Sequence, residues 1–325
     1  MKKILIILFI NIVLYSQNLS NISTQRLAGQ MIMIGFNGKD IKEYNIRKLG
    51  QEASLGKVGG IVFSANNFTN IEQAKKLVSR FKNIAIVNPL FLGIDYSDMN
   101  SSNFSDFYIP NFVDFNKNLN DIRTDYFDIA FGINELGINL NLTLNVNSSK
   151  EFNKMSIYAR EYADIFRKNN LLVSIKSFPG DMNAKDGVIG DYNFKNLRPF
   201  YDFIQTNKAD MIMVSNKIYP ILDKKPANMS KKIINMLKND LSFNGVIVSD
   251  DILGGDLDGI DFKDRIIDSI NAGVDILYFG LSRIKYGDTA SYVVDIISQA
   301  VDDGKISRSR LEESYIKITS LKERI

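Results

Sequence analysis

The chain has no histidine and no cysteine in 325 residues. Without cysteine there is no disulfide framework, no thiolate nucleophile, no thiolate-ligated zinc and no lipid attachment through a thioether. Without histidine there is no imidazole to move protons near neutral pH or to ligate a metal. Charge of one sign does not dominate either: 40 Lys+Arg stand against 37 Asp+Glu, a formal net charge of +3. No block of five or more like charges occurs, so the chain presents neither a nucleic-acid footprint nor a membrane-surface patch. Repeats of solenoid period and linkers long enough to split the chain are also lacking. What is abundant is apolar material, 45% of the residues, which is ample for a buried core without staples.

The N-terminus has a pattern of its own. Met1-Lys2-Lys3 is positive, Ile4 to Tyr15 is an apolar run, and Ser16-Gln17 offers a small residue at a cleavage point. This is the charge and length pattern of a secretory signal. A membrane-spanning helix needs ~20 apolar residues, longer than this run, so a retained anchor or a buried first helix is the lesser reading. The expectation is a signal peptide over residues 1–17, one domain over 18–325, no membrane span after removal of the signal, and a periplasmic or secreted location.

Beyond that segment short apolar runs alternate with helical patterns. The runs are Met31 to Phe36, Gly60 to Phe63, Leu90 to Ile94, Ile138 to Val146, Leu171 to Ile175, Met211 to Val214, Val246 to Val248 and Val274 to Phe279. Helical periodicity marks Ile71 to Phe81, Ser156 to Lys168, Phe194 to Thr206, Lys231 to Leu241, Phe262 to Asn271, Thr289 to Gly304 and a stretch capped by Ser307. Eight buried strands with intervening helices predict a single-domain α/β fold, a (β/α)8 TIM-like barrel. Asn100 to Asp125 reads as an extended loop with a helix later in it.

A barrel assembles its site at the ends of its strands. Asp95 follows the third run, Asn145 and Asn147 the fourth, Lys176 the fifth, Asn216 the sixth, and Asp250-Asp251 the seventh. Taken singly these are ordinary loop residues; in register they mark a candidate site. Gly59-Gly60 and Gly254-Gly255 form no phosphate-binding fingerprint. Asp250, Asp251, Asp256 and Asp258 lack the spacing of a calcium loop. No cofactor and no metal are implied.

The order of motifs resembles the bacterial β-N-acetylhexosaminidases of glycoside hydrolase family 3 over nearly all of the mature chain. The pieces are Gly29-Gln30-Met31 leading to Gly35-Phe36, Val58-Gly59-Gly60-Ile61-Val62-Phe63, Gly137-Ile138-Asn139-Leu140-Asn141, Tyr219-Pro220 with Pro226-Ala227-Asn228-Met229-Ser230, Phe243 to Asp251, and Asn271-Ala272-Gly273-Val274-Asp275. The resemblance implies that Asp250 stands at the nucleophile position of a retaining mechanism, that Asp95 grips sugar hydroxyls and that Lys176 is the lysine of a Lys-His pair. The family's Lys-His-Phe-Pro-Gly-His-Gly is replaced by Lys176-Ser177-Phe178-Pro179-Gly180-Asp181-Met182. Its Asp-Ser-His dyad aligns with Asp186-Gly187-Val188, so the orienting carboxylate is kept and its imidazole is not. Ser177, Asp181 and Asn216 also stand where the family has histidine. The saccharide-binding arginine has no counterpart near Leu144-Asn145-Val146-Asn147, and Asp95-Tyr96-Ser97-Asp98-Met99 replaces the third-strand motif.

Acid assistance contributes typically ~10²–10⁴ in rate, and valine has no proton to give. Two readings follow. One is a degenerate family member that binds a glycan such as a cell-wall fragment, or serves as an envelope component with a protein partner. The other is a working retaining glycosidase with Asp181, Asp186 or Asp98 as substitute acid, which requires a carboxyl group ~5–5.5 Å from Asp250.

Overall fold

The computed structural model describes residues 19–84, 89–95, 117–146, 152–180, 185–280 and 289–325. Eight strands close into one barrel in sequence order. They are β1 (Ile32–Gly35), β2 (Gly60–Phe63), β3 (Phe91–Ile94), β4 (Leu140–Asn145), β5 (Leu172–Phe178), β6 (Met211–Val214), β7 (Val246–Asp251) and β8 (Ile276–Phe279). Every neighbouring pair is parallel, including β1 with β8. Parallel strands are buried on both faces, and that is why β1, β2, β3 and β6 read as unbroken apolar runs; β4 instead alternates leucine with the buried Asn141 and Thr143. Irregularity is confined to register shifts, between β4 and β5, between β5 and β6 at Ile175/Phe178, and between β7 and β8 at Val248/Asp251.

Ten helices surround the barrel among the described residues. They are α1 (Thr24–Gln30), α2 (Tyr44–Ser54), α3 (Ile71–Ile84), α4 (Leu119–Glu135), α5 (Phe152–Lys168), α6 (Arg198–Gln205), α7 (Lys231–Asn235), α8 (Phe262–Ala272), α9 (Thr289–Asp302) and α10 (Arg308–Lys322). Each buries one stripe; α3, for example, turns Ala74, Leu77, Val78 and Phe81 inward, the i, i+3, i+4, i+7 spacing of a helix face. Helices α1 and α2 were not expected from the sequence. α4 is the helix of the Asn-rich stretch, and it starts when the Asn118 side chain accepts the N–H groups of Asn120 and Asp121. No helix among the described residues is long and apolar enough to cross a membrane. The signal segment 1–17 lies outside the described residues.

The barrel floor, where the strands begin, is held by a recurring device. The residue just before β4, β6 or β8 has a side chain that accepts the N–H of the preceding strand. Asn139 takes Leu92 at 2.8 Å, Asp210 takes Val173 at 2.9 Å and Asp275 takes Ile247 at 3.0 Å. At the fourth such place, before β2, stands Gly59, where a Cβ would lie 2.2 Å from the Gln30 carbonyl oxygen. Helix α10 then crosses the floor. Arg310 pairs with Asp275 at 3.0 Å, and Arg324 with Asp210 at 2.6 Å.

Candidate active site

β5 and β7 run three residues further than their apolar cores, to Phe178 and Asp251. The extensions carry Lys176, Ser177 and Asp250 to the opposite rim. They coincide with the register shifts of those two strands, and such shifts re-aim side chains at barrel rims. The peptide bonds Lys176–Ser177 and Phe178–Pro179 are cis. Lys176 Nζ meets Asp95 Oδ2 at 2.8 Å, with both side chains mostly withdrawn from solvent. Asp250 Oδ1 accepts the amide of Asp251 at 2.8 Å. Burial pushes the Asp250 carboxyl above the ordinary carboxylate range; the Asp251 amide and the Lys176 charge offset this in part, while the Asp251 and Asp95 carboxylates add to it. Asp95, Lys176 and Asp250 therefore form one electrostatic cluster.

The adjacent Asp251 has a different function. Its Oδ1 accepts the amides of Leu253 at 2.9 Å and Gly280 at 2.7 Å, tying the loop after β7 to the end of β8. At Gly280 a Cβ would lie 2.5 Å from Asp251 Oδ2, so the clamp needs glycine there. Asn216 joins the same corner, its Nδ2 donating to the Asp251 carbonyl at 2.6 Å. The Asn216 side chain is buried, and its Oδ1 has no partner among the described residues.

Asp186 and Val188 belong to a two-residue turn. Lys185 and Val188 exchange both backbone hydrogen bonds at 2.9 Å, with Asp186 at φ 50 and Gly187 at φ 74. Val188 also pairs with Ile218, which fixes the turn onto the loop after β6. Asp186 is exposed at the tip, and Val188 and Ser177 are half-buried. The Asp256 carboxylate approaches this turn: a Cβ on Gly187 would lie 3.3 Å from its Oδ1. Asp181, Asp98 and Asn147 lie outside the described residues. Among the described residues no three carboxylates gather as a metal site.

The structure thus brings Asp95, Lys176, Asp250 and Asn216 to one rim and leaves Asp186 facing solvent. Two features escaped sequence reasoning. The clamp formed by Asp251 is hidden because adjacent aspartates look alike until strand parity is known. Tyr278, opposite Asp251 in register and only half-buried, carried a signal, a polar-tipped ring within the apolar run Ile276-Leu277-Tyr278-Phe279.

Eight parallel strands closed into a barrel, with polar side chains gathered on the strand ends, make a (β/α)8 barrel, the frame on which barrel enzymes build their sites. The sequence matches the glycosyl hydrolase family 3 N terminal domain over residues 24–321, and the chain belongs to that family. A β-hexosaminidase of Idiomarina loihiensis is 24% identical over 278 residues, covering 76% of this chain and 82% of its own length. In structure, the chain resembles a family 3 β-N-acetylglucosaminidase from Paenibacillus with a TM-score of 0.81 at 19% identity, covering 93% of this chain and 62% of that longer one. The β-N-acetylhexosaminidase of Beutenbergia cavernae superposes with a TM-score of 0.79 at 18% identity, covering 93% of this chain and 99% of that one. The chain is a β-hexosaminidase-like family 3 barrel.

Proposed function

We propose that this chain is an exported glycan-binding member of family 3 whose hydrolytic machinery is degenerate, with a β-N-acetylglucosaminide or cell-wall fragment as ligand. The observation that carries this reading is the split state of the rim. The Asp95–Lys176–Asp250 cluster is intact, whereas the turn at the acid's position offers only the alkyl group of Val188 and an exposed Asp186. The buried Oδ1 of Asn216, without a partner among the described residues, adds an acceptor suited to a sugar hydroxyl, since a buried acceptor left unpaired is costly.

The chemistry of such a site can be tested step by step. In a retaining mechanism the Asp250 carboxylate attacks the anomeric carbon while an acid protonates the departing oxygen. A sugar leaving group needs that proton; an aryl leaving group departs as a phenolate without it. We expect binding of N-acetylglucosamine oligosaccharides by calorimetry, no appreciable hydrolysis of them, and slow release of phenol from an aryl β-N-acetylglucosaminide. Asp250→Asn should abolish that release. Because the nucleophile must be ionised and its carboxyl is raised, release should increase with pH through a value above the ordinary carboxylate range. Efficient hydrolysis of the unactivated oligosaccharide would refute the reading.

A second reading, a working retaining glycosidase with a substitute acid, is favoured by one observation, the Asp256 carboxylate beside Gly187. It requires that Asp256→Asn suppress hydrolysis of unactivated substrate while sparing the aryl glycoside.

A further inference from the structure

The barrel floor, at the opposite end of the strands from Asp250, holds two groups of ion pairs whose charges do not balance. In the first group three cations share two carboxylates. Arg310 and Lys317 lie 3.0 and 3.5 Å from Asp275, and Lys238, Arg310 and Lys317 lie 3.5, 3.3 and 3.9 Å from Glu313. In the second, Arg324 and Arg167 share Asp210, at 2.6 and 3.6 Å. Counted over side chains, each group keeps one positive charge in excess among the described residues. The crowding is felt at Lys238: burial holds its ammonium below the ordinary lysine value, and Lys317 and Arg310 lower it further against the pull of Asp275 and Glu313.

Between the two groups opens a cavity of about 600 Å³, within the range of small-molecule sites. Lys317 and Arg324, seven residues apart along α10 and its end, contribute to it from one group each, and among the described residues Asp210 is the sole acidic side chain in its lining. Arg324 uses Nη1 on Asp210, and its guanidinium Nε and Nη2 groups make no hydrogen bond among the described residues. Ser320 adds a hydroxyl, and Phe243 and Ile316 supply apolar wall.

We propose that this cavity is a binding site for a small phosphorylated molecule, with the phosphate between Lys317 and Arg324 and the body of the ligand against Phe243 and Ile316. A phosphomonoester carries about −1.5 to −2 at neutral pH, which matches the two excess charges. A single carboxylate would leave one of them uncompensated. The fork of a guanidinium suits phosphate oxygens, and a nearby ammonium adds a compact second charge. The site is independent of the rim chemistry.

The test is calorimetric titration of the full chain in low-salt, phosphate-free buffer with phenyl phosphate, inorganic phosphate and benzoate. Phenyl phosphate should bind most tightly, inorganic phosphate less so for want of a body, and benzoate least. Added salt should weaken binding. Ser320→Glu places a negative charge at an exposed position of α10 without removing any ion pair, and should weaken phenyl phosphate at least about tenfold; Lys317→Gln should do likewise through a lost charge-assisted contact. The proposal fails if phenyl phosphate shows no saturable binding, if benzoate binds equally well, or if Ser320→Glu, shown by its circular dichroism to be folded, binds with unchanged affinity.

Discussion

Lys322 carries its ammonium into the barrel floor, where Nζ donates to Gln30 Oε1 at 2.7 Å and lies 4.9 Å from the centre of the Phe91 ring. Neither neighbour is a carboxylate, and burial lowers its pKa from 10.5 to about 7. The sign of the resulting pH dependence follows from proton counting. Below pH 7 the folded and unfolded states both carry the proton, and the cost of burying the charge is fully present. Between about 7 and 10.5 the unfolded chain binds a proton that the folded chain lacks, so stability rises with pH as the cost is relieved. At ~1.36 kcal/mol per pH unit the full cost is on the order of 5 kcal/mol. Lys322→Met gives up one hydrogen bond from a charged donor, about 1.5–3 kcal/mol, and removes the charge. The variant should therefore be more stable than the parent by a few kcal/mol at pH 6, with the advantage shrinking to nothing near pH 10. Denaturant melts at the two pH values measure this, and an advantage independent of pH would show that the ammonium is not desolvated.

At the scale of elements, the end of β7 makes two neighbouring aspartates do opposite things. Asp251 satisfies two loop amides, each costly to leave buried without an acceptor. Asp250 is a carboxylate that its surroundings disfavour. Asp251→Ala should thus destabilise the fold by about 2–4 kcal/mol, whereas Asp250→Asn should leave stability unchanged or raise it at neutral pH. Chemical denaturation of the two variants separates them, and equal losses would contradict the division of labour. The sequence alone makes the two residues indistinguishable, because strand alternation assigns their faces only once the end of the strand is known. The strand positions themselves were legible, since runs such as Met211 to Val214 have no polar interruption. α2 was not, because Ile46, Leu49 and Ala53 are set among lysine, glutamine and glutamate and its amphipathic stripe is sparse. The floor acceptors Asn139, Asp210 and Asp275 were equally hidden, as their partners lie a whole βα unit earlier in the chain. The rim cluster could be foreseen from the motif order, but the exposure of Asp186 depends on a turn closed by hydrogen bonds to Lys185 and Ile218.

At the scale of the whole molecule, the barrel is closed in sequence by a seam between its beginning and its end. Arg308, at the start of α10, donates to the carbonyls of Leu19 at 3.0 Å and Ile22 at 2.6 Å and to Thr24 Oγ1 at 3.3 Å. The Leu19 side chain is itself buried. The proposed signal ends at Gln17, two residues before the first of these contacts, so its removal leaves the seam whole. A chain beginning at residue 18 should therefore unfold at the same temperature as one carrying the N-terminal segment. A chain beginning at residue 24 loses the two carbonyl partners of Arg308 and the buried Leu19. Hydrogen bonds from a charged donor contribute about 1.5–3 kcal/mol and a buried leucine about 1.5–3 kcal/mol, so this shorter form should be less stable by several kcal/mol. The proposed export sharpens the expectation in the cell: N-terminal sequencing of protein from the periplasm or medium should find a mature start between residues 17 and 19. An intact Met1 on cytosolic protein would overturn the proposed export, and equal stability of the chains starting at 18 and 24 would overturn the seam.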